Sequence, residues 1–135
     1  MYLIPVEIRD SSIEGKGVFA LEDIDPGTVV WKYNPEYDKS ISLDDFERLS
    51  NEEKSDIEKV GYISTESNQW IYPSENDPAR YTNHSQFNNL SVVFDKQLSV
   101  KPVFITKRGI KAGEELTNNY LEFDQRIIAY KPSWL

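Results

Sequence analysis

Apolar, β-branched and aromatic residues fall in runs of only four to six, and turn signals close each run. Runs of that length build strands rather than long helices. Ile4 to Ile8 alternates around Pro5, and a proline inside the run predicts an edge strand. Val18 to Leu21, Thr28 to Tyr33, Gln69 to Tyr72, Ser91 to Phe94 and Val103 to Thr106 read as further strands. Asp25-Pro26-Gly27 places proline and glycine where a type II turn needs them. The block from 42 to 61 is different. Ser42 can cap a short helix with apolar positions Leu43, Phe46 and Leu49. Ser50 followed by Glu53 forms a capping-box pattern for a second helix, with Ile57 and Val60 on its apolar face and Gly61 as its stop. Helices confined to one block among strands predict a mainly β chain with a small α insertion at about 42–61, not alternating βαβ units. There is no repeat and no linker, and 135 residues suit one domain spanning 1–135.

Composition narrows the chemistry. Cysteine is absent, which excludes disulfides, thiolate metal sites and cysteine nucleophiles and fits an intracellular setting. No apolar run approaches the roughly 20 residues of a membrane span. Met1 to Val6 lacks the basic start of a signal peptide. Fifteen Lys and Arg against 23 Asp and Glu leave a net charge of −8 and a pI near 4.7. That balance disfavours direct nucleic-acid binding and favours a basic partner such as a lysine-rich peptide.

His84 is the only histidine, so metal sites built on paired histidines are excluded. No G-x-S-x-G elbow supports a serine nucleophile. Asp44-Asp45, Glu52-Glu53 and Glu114-Glu115 lie in polar helical or turn contexts and read as a solvated face. Gly15-Lys16-Gly17-Val18-Phe19-Ala20 matches a dinucleotide fingerprint in letters only, because Asp25-Pro26-Gly27 breaks the chain before a useful helix can form. What remains is a two-glycine loop, either an ordinary turn or a bare backbone suited to a close-lying ligand.

Two further segments are dense in polar side chains: Arg80-Tyr81-Thr82-Asn83-His84-Ser85 with Asn88-Asn89, and Lys111 to Tyr120. Such clusters suit a polar network under a loop or a small-molecule site. Taken in order, the three segments resemble the SET-domain family of protein lysine methyltransferases. The two-glycine stretch is similar to its opening G-x-G motif, Arg80 to Ser85 to its R-[FY]-x-N-H-S motif, and Asn89 to the asparagine that follows. Gly109 to Tyr120 is similar to its closing G-E-E-L-T segment. The resemblance covers about residues 8 to 124.

The resemblance implies small curved β-sheets around a knot-like crossing, and transfer of a methyl group from S-adenosylmethionine to a lysine amine with no metal. It assigns Tyr120 as the catalytic hydroxyl and Gly15, Lys16 and Gly17 as backbone contacts to the cofactor. Asn83 and His84 hold the cofactor's ends, with Arg80 and Tyr81 beside them, and Tyr33 joins Tyr120 along the lysine channel. The expected partner is a basic, lysine-containing protein or peptide, histone-like or other, met in the cytoplasm of a bacterium or the nucleus of a eukaryotic host.

This sequence departs from the family pattern in three places. Zinc-binding cysteine flanks are absent. Only fifteen residues follow Tyr120, so Phe123, Tyr130 and Trp134, or a second copy of the chain in a homodimer, are candidates to close the channel. Asn118 and Asn119 replace a usual aromatic and a frequent aspartate, and Asn88 a proline. The alternatives are a catalytically weak or inactive module of this fold that binds peptide or cofactor, and a methyltransferase for a non-protein amine.

Overall fold

Turn chemistry decides where the first strands begin and end. In the computed structural model, which describes residues 1–99 and 101–130, Gly15 adopts the left-handed conformation at φ +46°. Ser11 N donates to Gly15 O at 2.8 Å and closes the turn between β1 (Val6–Asp10) and β2 (Lys16–Ala20). Gly27 is left-handed at φ +74°, as the Asp25-Pro26-Gly27 turn requires. The Thr28 hydroxyl donates to Asp25 O at 2.7 Å, which fixes the entry to β3 (Val29–Lys32).

Three small sheets follow from these starts. The first has the order β1–β2–β10–β7, with β7 at Asn83–His84 and β10 at Glu115–Asn118, so β1 is an edge strand. The second joins β3 to the hairpin of β8 (Leu90–Val93) and β9 (Val103–Thr106). The third joins β4 (Asp38–Ile41), β6 (Trp70–Pro73) and β5 (Tyr62–Ile63). Leaving β7, the chain builds the β8–β9 hairpin in another sheet and returns as β10, parallel to β7. The chain is mainly β with few helices, as the sequence predicts. The short strands β4, β5, β7 and β10 and the C-terminal helix α3 (Gln125–Tyr130) are additional to that expectation.

The helical block carries the expected caps. Ser42 Oγ accepts from Asp45 N at 3.1 Å at the start of α1 (Leu43–Glu47). Ser50 and Glu53 form a full capping box at the start of α2 (Asn51–Val60). Gly61 ends α2, but in an extended rather than a left-handed conformation. Its role is close approach: a Cβ there would lie 2.8 Å from Ile71 O and 2.9 Å from Ile57 O.

Two cores result. Val18, Ala20, Val30, Leu90 and Leu116 are fully buried between the first two sheets, with Trp31 stacked on Phe104 at 4.7 Å. A satellite core packs Phe46, Ile57 and Trp70, with Phe46 stacked on Trp70 at 4.6 Å, and seats the helical block on the third sheet. Truncating Leu116→Ala removes a side chain with no exposed surface and should lower unfolding free energy by about 2–5 kcal/mol. Ser50→Ala removes only a cap and should lower it by about 1 kcal/mol. Denaturant titration checks both values.

Candidate functional site

Strand β10 is the axis of the site. Its Thr117 and Asn118 lie alongside Asn83 and His84. Asn89, 3% exposed, supplements this two-residue pairing. Its Oδ1 accepts from Thr117 N at 2.9 Å and its Nδ2 donates to Glu115 O at 2.8 Å. One side-chain amide thus serves β10 as the backbone of a neighbouring strand would. Ser85 N donates to Asn118 O at 2.9 Å and extends the contact.

The two-glycine turn docks on this axis through Asn83. Asn83 Nδ2 donates to Lys16 O at 3.0 Å, Glu14 O at 3.2 Å and the Glu115 carboxylate at 2.9 Å. The Lys16 ammonium points elsewhere, to Asp10 at 2.6 Å, so only its backbone joins the cluster. Gly17 is buried, and an added Cβ would overlap the Glu115 carboxylate.

Tyr120 begins a short 3-10 turn directly after this axis. Its backbone N–H donates to His84 Nδ1 at 3.1 Å, which assigns the imidazole proton to Nε2. The two rings lie 5.1 Å apart. Burial lowers the His84 pKa below its ordinary 6.5, so the ring is neutral at pH 7. The Tyr120 hydroxyl donates to Thr82 O at 2.8 Å, and burial pushes its pKa up to about 12. Both aromatic groups at this junction are therefore uncharged.

A cavity of about 430 Å³ opens beside Tyr120. Trp31, Tyr62, Phe104 and Phe123 form much of its wall, and Asn118 and Arg80 also line it. Trp31 Nε1 and Asn118 Oδ1 are buried with no hydrogen-bond partner among the described residues. Arg126 also lines the cavity. It donates to Glu58 O at 3.1 Å and Gly61 O at 2.5 Å, pairs with buried Asp124 at 3.0 Å and lies 4.7 Å over the Trp70 ring. It thereby caps the C-terminus of α2.

The structure thus brings Gly15, Lys16, Gly17, Asn83, His84 and Tyr120 to one junction and puts Arg80 on the cavity wall. Tyr81 is 41% exposed and is not among the residues lining the cavity. Tyr33 lines a separate cavity of about 10 Å³ that shares Trp31, Tyr62 and Ile71 with the large one, and Lys101 lies 5.4 Å over the Tyr33 ring. Of the three aromatics after Tyr120, Phe123 is buried in the wall, whereas the Tyr130 side chain and Trp134 lie outside the described residues.

Glu115 corrects the reading of Glu114-Glu115 as a solvated face. It is half-buried between Ser11, Gly17 and Asn83. Glu114 is also engaged, by Arg108 at 2.9 Å, which is the main cause of its lowered pKa. The missed signal was the alternation of Glu115-Leu116-Thr117-Asn118, a strand pattern that puts Glu115 on the side facing away from Leu116. Trp31, Tyr62 and Arg126 carried no site signal in the sequence.

The SET domain family model matches residues 15–121, and the chain belongs to the SET-domain family. Over 124 residues, 88% of this chain, it is 31% identical to the human and mouse proteins named Histone-lysine N-methyltransferase 2D. It spans about 2% of the length of these curated relatives. Its fold is similar to the crystal structure of a Plasmodium falciparum protein assigned as a histone methyltransferase. That match has a TM-score of 0.59 at 22% identity and covers 87% of this chain and 93% of the other.

The neutral state of His84 has a consequence for stability. Unfolded His84 titrates at its ordinary value of 6.5, while the folded ring titrates lower. Its contribution is therefore full above pH 6.5 and is lost as pH falls from there through the lower folded pKa. NMR titration should place the His84 midpoint below 6.5. His84→Gln should reduce the slope of unfolding free energy against pH in that window.

Proposed function

We propose that this chain is an S-adenosylmethionine-dependent protein-lysine N-methyltransferase acting on a basic, lysine-containing segment. The observation that carries this reading is the position of Tyr120, which joins the Gly15–Gly17, Asn83 and His84 junction to the 430 Å³ cavity. The relatives' name, histone-lysine methyltransferase, supports a lysine as the acceptor.

The residues present fit the cofactor. The backbone of Gly15 to Gly17 and the side chains of Asn83 and His84 would hold it, with Arg80 and Tyr81 beside them, and Asn118 Oδ1 is an acceptor still without a partner among the described residues. When bound, S-adenosylmethionine supplies an electrophilic methyl group whose transfer to nitrogen leaves a thioether.

The remaining requirements fall on the chain's own residues. A lysine amine has a pKa near 10.4 in water and attacks only when neutral. The aromatic wall of Trp31, Tyr62, Phe104 and Phe123 offers a low-dielectric setting that lowers this value, so the proton leaves to solvent before attack. Tyr120 does not take that proton, because its own pKa is raised and the phenol stays neutral. A hydroxyl that donates to Thr82 keeps acceptor lone pairs on oxygen, and these orient an incoming N–H. The aromatic wall also keeps water from competing with the amine.

Charge supports a basic partner. Asp44, Asp45, Glu47, Glu52 and Glu53 are exposed on the helical block, and Glu58 lines the cavity. This field attracts a cationic segment, and association weakens as salt rises.

The test is transfer of labelled methyl from S-adenosylmethionine to a lysine-rich protein, read beside cofactor binding by calorimetry. Tyr120→Phe should lower transfer by about a hundredfold or more while cofactor affinity is retained. Equal transfer by the two proteins would show that the phenol has been given the wrong role. Cofactor binding without transfer to any lysine-rich protein would favour an inactive binding module.

A further inference from the structure

Ser12 to Lys16 are exposed, so the two-glycine turn gains little from burial. An exposed segment holds one shape only if specific bonds offset its conformational entropy. Few of those bonds lie within the turn: Ser11 N to Gly15 O at 2.8 Å, and Ile13 N to Ser11 Oγ at 2.9 Å. The ties to the rest of the fold run through Asn83, which donates directly to Lys16 O at 3.0 Å and Glu14 O at 3.2 Å, and through Glu115, which also holds Asn83. Ser11 Oγ donates to Glu115 Oε1 at 2.7 Å, and Asn83 Nδ2 donates to Glu115 Oε2 at 2.9 Å. The same carboxylate fills the space beside Gly17 that a Cβ would need.

We infer that Glu115 is a positioning residue for the cofactor, its carboxylate tying Ser11, Gly17 and Asn83 to strand β10 and thereby setting the shape of the binding turn. This rests on the reading that the turn holds S-adenosylmethionine. Each carboxylate oxygen takes a donor from a different segment, one from the turn and one from β7. A carboxylate suits this arrangement because both of its oxygens accept. An amide in its place presents an N–H toward Ser11, whose Oγ already accepts from Ile13 N, or toward the donor Asn83. Because Glu115 lies on the strand that leads into Tyr120, the turn and the phenol share one frame. Preorganising the turn strengthens ligand binding without adding a contact to the reacting atoms.

The inference predicts a split between kinetic constants in the full chain. Glu115→Gln should raise KM for S-adenosylmethionine by about tenfold, the loss expected for a hydrogen bond to a charged group. It should leave kcat at saturating cofactor within about twofold and KM for the peptide unchanged. Ser11→Ala, which alters an outer partner and carries the same test should Glu115→Gln fail to fold, should raise cofactor KM severalfold. Ser11→Ala combined with Glu115→Gln should be little worse than Glu115→Gln alone, because both remove one tie. A purely structural role would lower the melting temperature without this split. Unchanged cofactor KM in a wild type that binds S-adenosylmethionine by calorimetry would overturn the role of Glu115 alone. A wild type that does not bind S-adenosylmethionine would overturn both the cofactor reading and this inference.

Discussion

Asn89 stands in for a missing length of strand. The parallel contact of β10 with β7 covers only Thr117 with Asn83 and Asn118 with His84. A ladder that short contributes little by itself. Asn89 takes the Thr117 N–H and supplies an N–H to Glu115 O from within the core. Without it those two backbone groups would be left without these bonds, at about 1–3 kcal/mol for each buried group with no partner. The position of Tyr120 follows from this one amide. Tyr120 lies two residues beyond Asn118, and its backbone bonds to His84, the residue that Asn118 faces. The ladder is thus the local structure that gives the phenol its place.

The cavity beside Tyr120 mixes an aromatic wall with charged groups, Asp38, Glu58, Lys59, Arg80, Asp124 and Arg126. Tyr120 and His84 are both neutral at pH 7, each because burial disfavours its charged form. Arg126 on the cavity wall is paired with Asp124, and the negative charge of the chain lies partly on the exposed faces of α1 and α2. Under the proposed function, the helices would attract a cationic chain over a Debye length of about 8 Å at physiological salt. The aromatic part of the wall would then disfavour the charge on the proposed amine. Of the carboxylates that line the cavity, Asp38 is paired with the Met1 ammonium and Asp124 with Arg126, which offsets their pull on a bound cation.

Most of the longer strands were legible because they carry β-branched and aromatic runs between turn residues, and the helical block because Ser42, Ser50 and Glu53 make local, sequence-near caps. Gly61 was legible as a stop but not for its reason, since a close approach to Ile71 O depends on a strand ten residues away. β7 and β10 were hidden for the same cause. Two residues of parallel pairing leave no periodic trace, and a pairing partner more than thirty residues distant leaves none either. Glu115 looked solvated because a local reading sees two adjacent acids and not the Ser11 hydroxyl that comes from the opposite end of the chain. The polar segments were visible as clusters, but their convergence belongs to topology. The aromatic wall combines Trp31, Tyr62, Phe104 and Phe123 from separate segments, and of these only Phe123 carried a site signal in the sequence.

The helical block is coupled to the cavity at two points, and both depend on backbone geometry. Gly61 lets the end of α2 approach β6 to a distance that no other side chain permits, which brings Glu58 to Gly61 into the cavity wall. That approach leaves the carbonyls at the end of the helix facing the C-terminal segment, where Arg126 takes two of them while stacked on Trp70. Asp124 holds Arg126 in that geometry and accepts from Ile63 N on the neighbouring strand, so α2, β5 and the segment after Tyr120 meet around one ion pair. The acidic surface is therefore anchored to the same wall that faces the phenol. Gly61 and Arg126 thus fix the end of α2 beside the cavity, where the proposed basic segment would meet the acidic surface of the helices.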